Sequence, residues 1–278
     1  NQSLDFNTEK VTNMSEMFYD AESFNQSLNF TSTENINNMK HMFCRAESFN
    51  QSLDFNTDNV TDMSRMFYKA ESFNQPLNFD TKNVTNMSSM FYYAYQFNQS
   101  LNWDTSNVTN MEYMFYICES FNQHLNFTST ENVNNMSEMF YDAESFNQHL
   151  NFDTKNVTNM SYMFSDAKSF NQPLNFNTEN VTDMSGMFKD ALSFNQRLNF
   201  NTEKVTNMKG MFYGSKSFNQ PLNFNTENVT DMKYMFYMTE SFNQPINSWD
   251  VNNVRNIDDM FVDCPISEKN KPLFKIDY

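Results

Sequence analysis

The chain has 278 residues, with 34 acidic against 18 basic side chains and a net charge of −16. The acidic surplus runs along the whole length and repels polyanions, which excludes nucleic acid and anionic membrane as direct partners. Six Pro and three Gly exclude collagen-like and flexible-linker classes, while 31 Phe and 22 Met in regular positions exclude simple disorder.

Asn1-Gln2 closes one copy of a triplet, Phe-Asn-Gln, that begins again at Phe24 and recurs to Phe242. The spacing is 24 residues, and 25 after Phe24 and after Phe121. That period lies in the range of leucine-rich-repeat solenoids, in which each coil buries its apolar side against its neighbours. The sequence therefore predicts an α/β repeat solenoid, leucine-rich-repeat-like, of about eleven coils. Each coil carries one short parallel strand and a short helical segment. Strand spacing of about 4.8 Å makes this a rod or shallow arc of roughly 50 Å.

Within one repeat, "NQPLNFD" (Asn74 to Asp80) comes first. Leu77 and Phe79 alternate with Asn78, a strand pattern that points the first two inward and Asn78 outward. Pro76 stands at the strand entrance, in a slot that also holds Ser27, His124, His149 and Arg197, as a solvent-facing position would. "NVTNMSSMF" (Asn83 to Phe91) follows. Its Val84, Met87 and Phe91 keep helical spacing, which predicts a short α or 3₁₀ segment capped by Thr81 or Asn83. Leu77, Phe79, Val84, Met87 and Phe91 form the expected core ladder. Ala94 marks a tight corner; Cys118, Ser215, Thr239 and Cys264 take the same small slot. Asn25, Asn50, Asn74 and Asn98 form a column whose amides are expected to bond to the backbone of adjacent coils.

The two 25-residue copies carry their extra residue in "NFTSTEN", at 29–35 and 126–132, which predicts a bulged loop outside the core. Residues 1–264 read as the repeat domain. Residues 265–278 break the pattern at Pro265 and bring Lys269, Lys271 and Lys275, devices that blunt an open edge, so this segment is expected to be a cap or a junction. The capless first coil raises end-to-end self-association. No stretch is long and apolar enough for a membrane-crossing helix, so no membrane insertion by this segment is expected.

"SLNWDTSNVTNMEYMFYICESFNQ" (Ser100 to Gln123) resembles the BspA-like leucine-rich repeats of the DUF285 family, first known from mycoplasma proteins. The resemblance covers nearly the whole chain. It implies a surface-exposed repeat domain for adhesion or recognition, with a host, matrix or surface protein or a glycan as partner. It places the protein at the cell surface or outside the cell, or alternatively on a virion surface. It brings no catalytic or ligand-binding residues with it. This chain departs from the family in placing Asp, Lys, Arg or Tyr where many relatives have Gly after "MFY".

Three His offer little for a catalytic triad or a zinc site, so no enzyme, metal or cofactor is expected. His124 and His149 share a slot in consecutive coils, but further ligands are lacking. Acidic residues in "FDTKN" suit turn hydrogen bonds better than calcium. Of Cys44, Cys118 and Cys264, only Cys44, which replaces a recurrent Tyr, is left for intermolecular pairing. Asn59, Asn83, Asn107, Asn156, Asn180 and Asn228 begin glycosylation sequons. The repeats differ most near "MF", and there Tyr93, Tyr113, Tyr116 and Ile117 gather over two coils as the candidate binding patch. The rival to recognition is a structural spacer or fibre-forming subunit of a surface assembly.

Overall fold

The computed structural model describes residues 4–274. They belong to two compact units, Asn1–Val133 and Asn134–Tyr278. Inside each unit every repeat lies parallel on the next. The recurring contact is a column of single parallel bridges at the Asn or Asp before each "M-x-x-M": Asn38, Asp62, Asn86 and Asn110 in the first unit, and Asn159, Asp183, Asn207 and Asp231 in the second.

The inward ladder stands as the alternation requires. Val84, Met87 and Phe91 are wholly buried, and Leu77 and Phe79 nearly so. Asn78 and the whole Pro76 slot face solvent. Phenylalanines from successive repeats stack almost flat, with ring centroids 5.6 to 5.7 Å apart along Phe43, Phe67, Phe91 and Phe115. The two tryptophans substitute for Phe in a neighbouring column, and each indole N–H reaches a carbonyl, Leu77 for Trp103 and Leu222 for Trp249, at 3.4 Å. The asparagine column bonds as expected: the Asn50 side chain accepts the Asn74 N–H at 2.9 Å, and Asn74 accepts that of Asn98 at 2.9 Å.

The strand expected in every repeat is not there. Strand β1 (Leu4–Phe6) pairs in parallel with β2 (Leu28–Phe30). Beyond them, a single bridge, Leu101 to Leu125, is formed in this column among the described residues. Ring spacing supplies the reason. In the first unit the rings stand 4.5 Å apart at Tyr68–Tyr92, 5.7 Å at Phe67–Phe91, 6.1 Å at Phe73–Phe97 and 6.4 Å at Phe55–Phe79. The second unit widens in the same way, from 4.9 Å at Tyr213–Tyr237 to 6.5 Å at Phe152–Phe176. Between the 24-residue copies the rings therefore stand wider on the Leu-x-Phe side than at the turns, which disfavours strand hydrogen bonds there. The two pairings that do form involve the two 25-residue copies. Their extra residue lets Thr31 N–H reach the Phe6 carbonyl at 3.2 Å and Thr128 N–H reach Trp103 at 3.1 Å.

The expected helical segment is also absent; the described residues contain one short 3₁₀ turn, Glu268–Asn270, and no α-helix. Residues 83–94 instead form linked tight turns. Met90, Tyr92 and Ala94 N–H groups bond back three residues, to Met87, Ser89 and Phe91. The alternate N–H groups, of Met87, Ser89, Phe91 and Tyr93, bond forward to Asn110, Glu112, Met114 and Tyr116 in the next repeat at 2.8 to 3.1 Å. A backbone that sends every second donor to its neighbour cannot also close the i to i−4 bonds of a helix. The turns require left-handed residues, here Ser89 at φ 55° and Tyr93 at φ 57°. The proposed caps act between repeats: Thr81 donates its hydroxyl to the Asp104 carbonyl at 2.8 Å, and Asn83 its amide to that of Asp58 at 2.7 Å.

The C-terminal segment continues this packing. Ile266 is buried, Ser267 N–H donates to the Asn243 side chain at 2.9 Å and Ile246 N–H to the Asn270 carbonyl at 2.9 Å. Lys269 and Lys271 are on this segment, and Lys275 falls outside the described residues. No helix among the described residues is long and apolar enough to cross a membrane.

Candidate functional site

The linked turns put three side-chain columns on one face of each unit: two left-handed positions and the residue after "MF". In the first unit part of these columns is aromatic, from Tyr68 to Tyr116. Tyr68, Tyr92 and Tyr116 stack flat, 4.5 and 4.4 Å apart. Tyr93 and Tyr113, both at φ 57°, lean against that stack, Tyr93 at 4.8 Å from Tyr92 and Tyr113 at 5.7 Å from Tyr116. Tyr95 meets Tyr93 edge-on at 5.7 Å. The structure so brings together Tyr93, Tyr113 and Tyr116, and places Ile117 next to them, half-buried at φ 52°. Tyr68, Tyr92 and Tyr95 complete the group and lie outside the patch expected from sequence. For Tyr68 and Tyr92 the signal was the recurrence of Tyr after "MF"; Tyr95 stands where most repeats have Glu.

Cations border the rings. Arg65 lies 5.9 Å from the Tyr68 ring centroid and Lys69 lies 5.2 Å from that of Tyr93. Burial pushes the Tyr68 hydroxyl above its ordinary pKa, with Arg65 pulling the other way. Arg45, one repeat earlier, is held by Asp20 at 3.0 Å and Glu22 at 3.7 Å. The second unit has a smaller group, Tyr213, Tyr234 and Tyr237, with Lys189 5.5 Å from Tyr213 and Lys233 4.8 Å from Tyr234.

Other candidates resolve differently. Cys44 is buried, and burial raises its thiol to about 11, which removes it as an exposed partner for an intermolecular disulfide. His41 lies 3.5 Å from a Glu16 carboxylate oxygen, and burial lowers its pKa. His124 and His149 are each exposed. Among the described residues no three His, Cys, Asp or Glu side chains gather as a metal site. The "FDTKN" turn bonds internally, Lys82 N–H to Asp80 Oδ1 at 3.0 Å. The sequon asparagines Asn59, Asn83, Asn107, Asn180 and Asn228 each donate Nδ2, the atom a glycan would occupy, to a carbonyl of the preceding repeat at 2.6 to 2.8 Å. Asn156 is exposed.

The family described as "Mycoplasma protein of unknown function, DUF285" matches residues 1–100, 77–175, 123–199 and 197–276. The chain belongs to it. Each match spans several of the 24-residue repeats, and together they cover nearly the whole chain. No curated protein and no solved structure matches the chain.

Proposed function

We propose that this DUF285 chain is a leucine-rich-repeat-like solenoid of about eleven coils and a non-enzymatic adhesion or recognition module. It would act at the cell surface or outside the cell, with a virion surface as the alternative. The supporting observation is the six-tyrosine group of the first unit. Tyr is suited to interfaces because it brings large contact area and a hydroxyl at low entropy cost. This group sits where repeats differ most, on a frame whose repeats otherwise copy one another. The partner is a host, matrix or surface protein or a glycan.

The test uses the full chain on cells, matrix proteins and a glycan array, beside a variant with Tyr93, Tyr113 and Tyr116 changed to Ser and its fold checked by circular dichroism. Saturable binding by the parent that the variant loses supports recognition. If the parent binds nothing and instead forms filaments, the spacer or fibre role replaces it.

A further inference from the structure

The two tyrosine groups differ in charge balance. In the second unit both cations are neutralised: Lys189 has Asp190 at 3.1 Å and Asp166 at 3.7 Å, and Lys233 has Asp258 at 3.3 Å. In the first unit, neither Arg65 nor Lys69 has a carboxylate within ion-pair distance among the described residues; each instead faces a tyrosine ring. Glu71 lies in the field of Lys69 but forms no ion pair with it. A chain of net charge −16 thus keeps two cations outside any ion pair beside its largest tyrosine group.

Resting on the recognition reading above, we infer that this first-unit face binds an acidic saccharide of low charge density, with its carboxylate at Arg65 and Lys69 and neutral sugar rings along Tyr92, Tyr93, Tyr113 and Tyr116. Three observations select that class. The cations call for an anionic group, which a guanidinium holds through paired hydrogen bonds. The overall acidic field works against densely charged chains such as nucleic acid or highly sulfated polysaccharide. An extended acidic peptide would gain most by adding to an open backbone edge. On this face the donors are spent: Lys69 N–H goes to the Tyr92 carbonyl at 2.6 Å, Tyr93 to Tyr116 at 2.8 Å and Tyr116 to Tyr113 at 3.2 Å. Ring edges and hydroxyls are what this face has to present, and a sugar chain can use both.

Isothermal titration of the full chain tests this with four probes: a hyaluronan oligosaccharide, a heparin fragment of equal length, an uncharged malto-oligosaccharide and poly-glutamate. The hyaluronan probe should bind best and weaken with salt. The double variant Arg65→Ser, Lys69→Ser should lose about tenfold or more in affinity. Ser89 already occupies the slot of Arg65 at φ 55°, so this change suits the turn. Lys189→Ser with Lys233→Ser should bind as the parent does. Tighter binding of heparin or of poly-glutamate, or equal loss in both double variants, overturns the assignment. So does a parent that adheres through its tyrosines yet ignores hyaluronan, an outcome that leaves the recognition reading standing. A parent that adheres to nothing ends both.

Discussion

Tyr162 lies across Gly186 of the next repeat, so closely that a Cβ on Gly186 would stand 2.3 Å from a Tyr162 ring carbon. Gly186 is also left-handed, at φ 57°. Gly186→Ala therefore meets two costs, about 1 to 2 kcal/mol for the backbone and about 1 to 3 kcal/mol for displacing the ring. Adding Tyr162→Ala should restore the steric part and leave the backbone part. Urea unfolding of the two single variants and the double variant measures this. A double variant no more stable than Gly186→Ala alone would mean that the ring swings aside freely.

Leu77→Ala and Phe79→Ala should each cost roughly 2 to 5 kcal/mol, because both side chains are buried between neighbouring repeats and leave a cavity when truncated. A change within about 0.5 kcal/mol on chemical denaturation would contradict the inward placement.

These core positions were legible because alternation and a fixed period identify a buried column whatever the backbone does between columns. The backbone itself was not. Val84, Met87 and Phe91 recur at three and four residues, and linked turns that bond back three residues bury such a set just as a helix does. The discriminating signal was the glycines. All three of the chain, Gly186, Gly210 and Gly214, occupy the left-handed slots. The recurrence of Tyr, Asp, Lys or Arg in most of those slots hid them. The missing strand was illegible for another reason. Leu77 and Phe79 alternate as a strand does, yet the rings stand wider there than at the turns, which disfavours pairing. The tyrosine group was half legible: a scan for variable positions found Tyr93, Tyr113 and Tyr116. Tyr68 was hidden because Tyr recurs after most of the "MF" pairs, and Tyr92 stood among the residues that vary there without being drawn into the patch.

Asn74 links three repeats, receiving N–H groups from Asn98 at 2.9 Å and Gln99 Nε2 at 3.0 Å on its side-chain oxygen while donating its own N–H to Asn50 at 2.9 Å. Asn74→Ala leaves the Asn98 N–H without its acceptor and should cost about 1 to 3 kcal/mol. Asn74→Asp keeps an acceptor there and should cost less. Hydrogen exchange at Asn98 separates the two: fast in the Ala variant, still protected in the Asp variant. Equal protection in both would show that the column is not what holds adjacent repeats.

Asp104 accepts three hydrogen bonds, from Ser106 Oγ at 2.7 Å, Ser106 N–H at 3.0 Å and Thr128 Oγ1 at 2.8 Å. The Ser106 hydroxyl leads in holding its carboxyl below the usual aspartate range, followed by the Ser106 N–H and the Thr128 hydroxyl. A carboxyl depressed in the folded state adds stability above its unfolded value, about 3.9, and loses it as pH falls through the lower folded value. The parent should therefore exceed Asp104→Asn in stability at pH 6, and the gap should close as pH falls below about 4. Urea midpoints of both proteins across that range measure the gap. A gap constant with pH would assign its cause to packing or to the Asn amide, and not to the charge that Ser106 and Thr128 solvate.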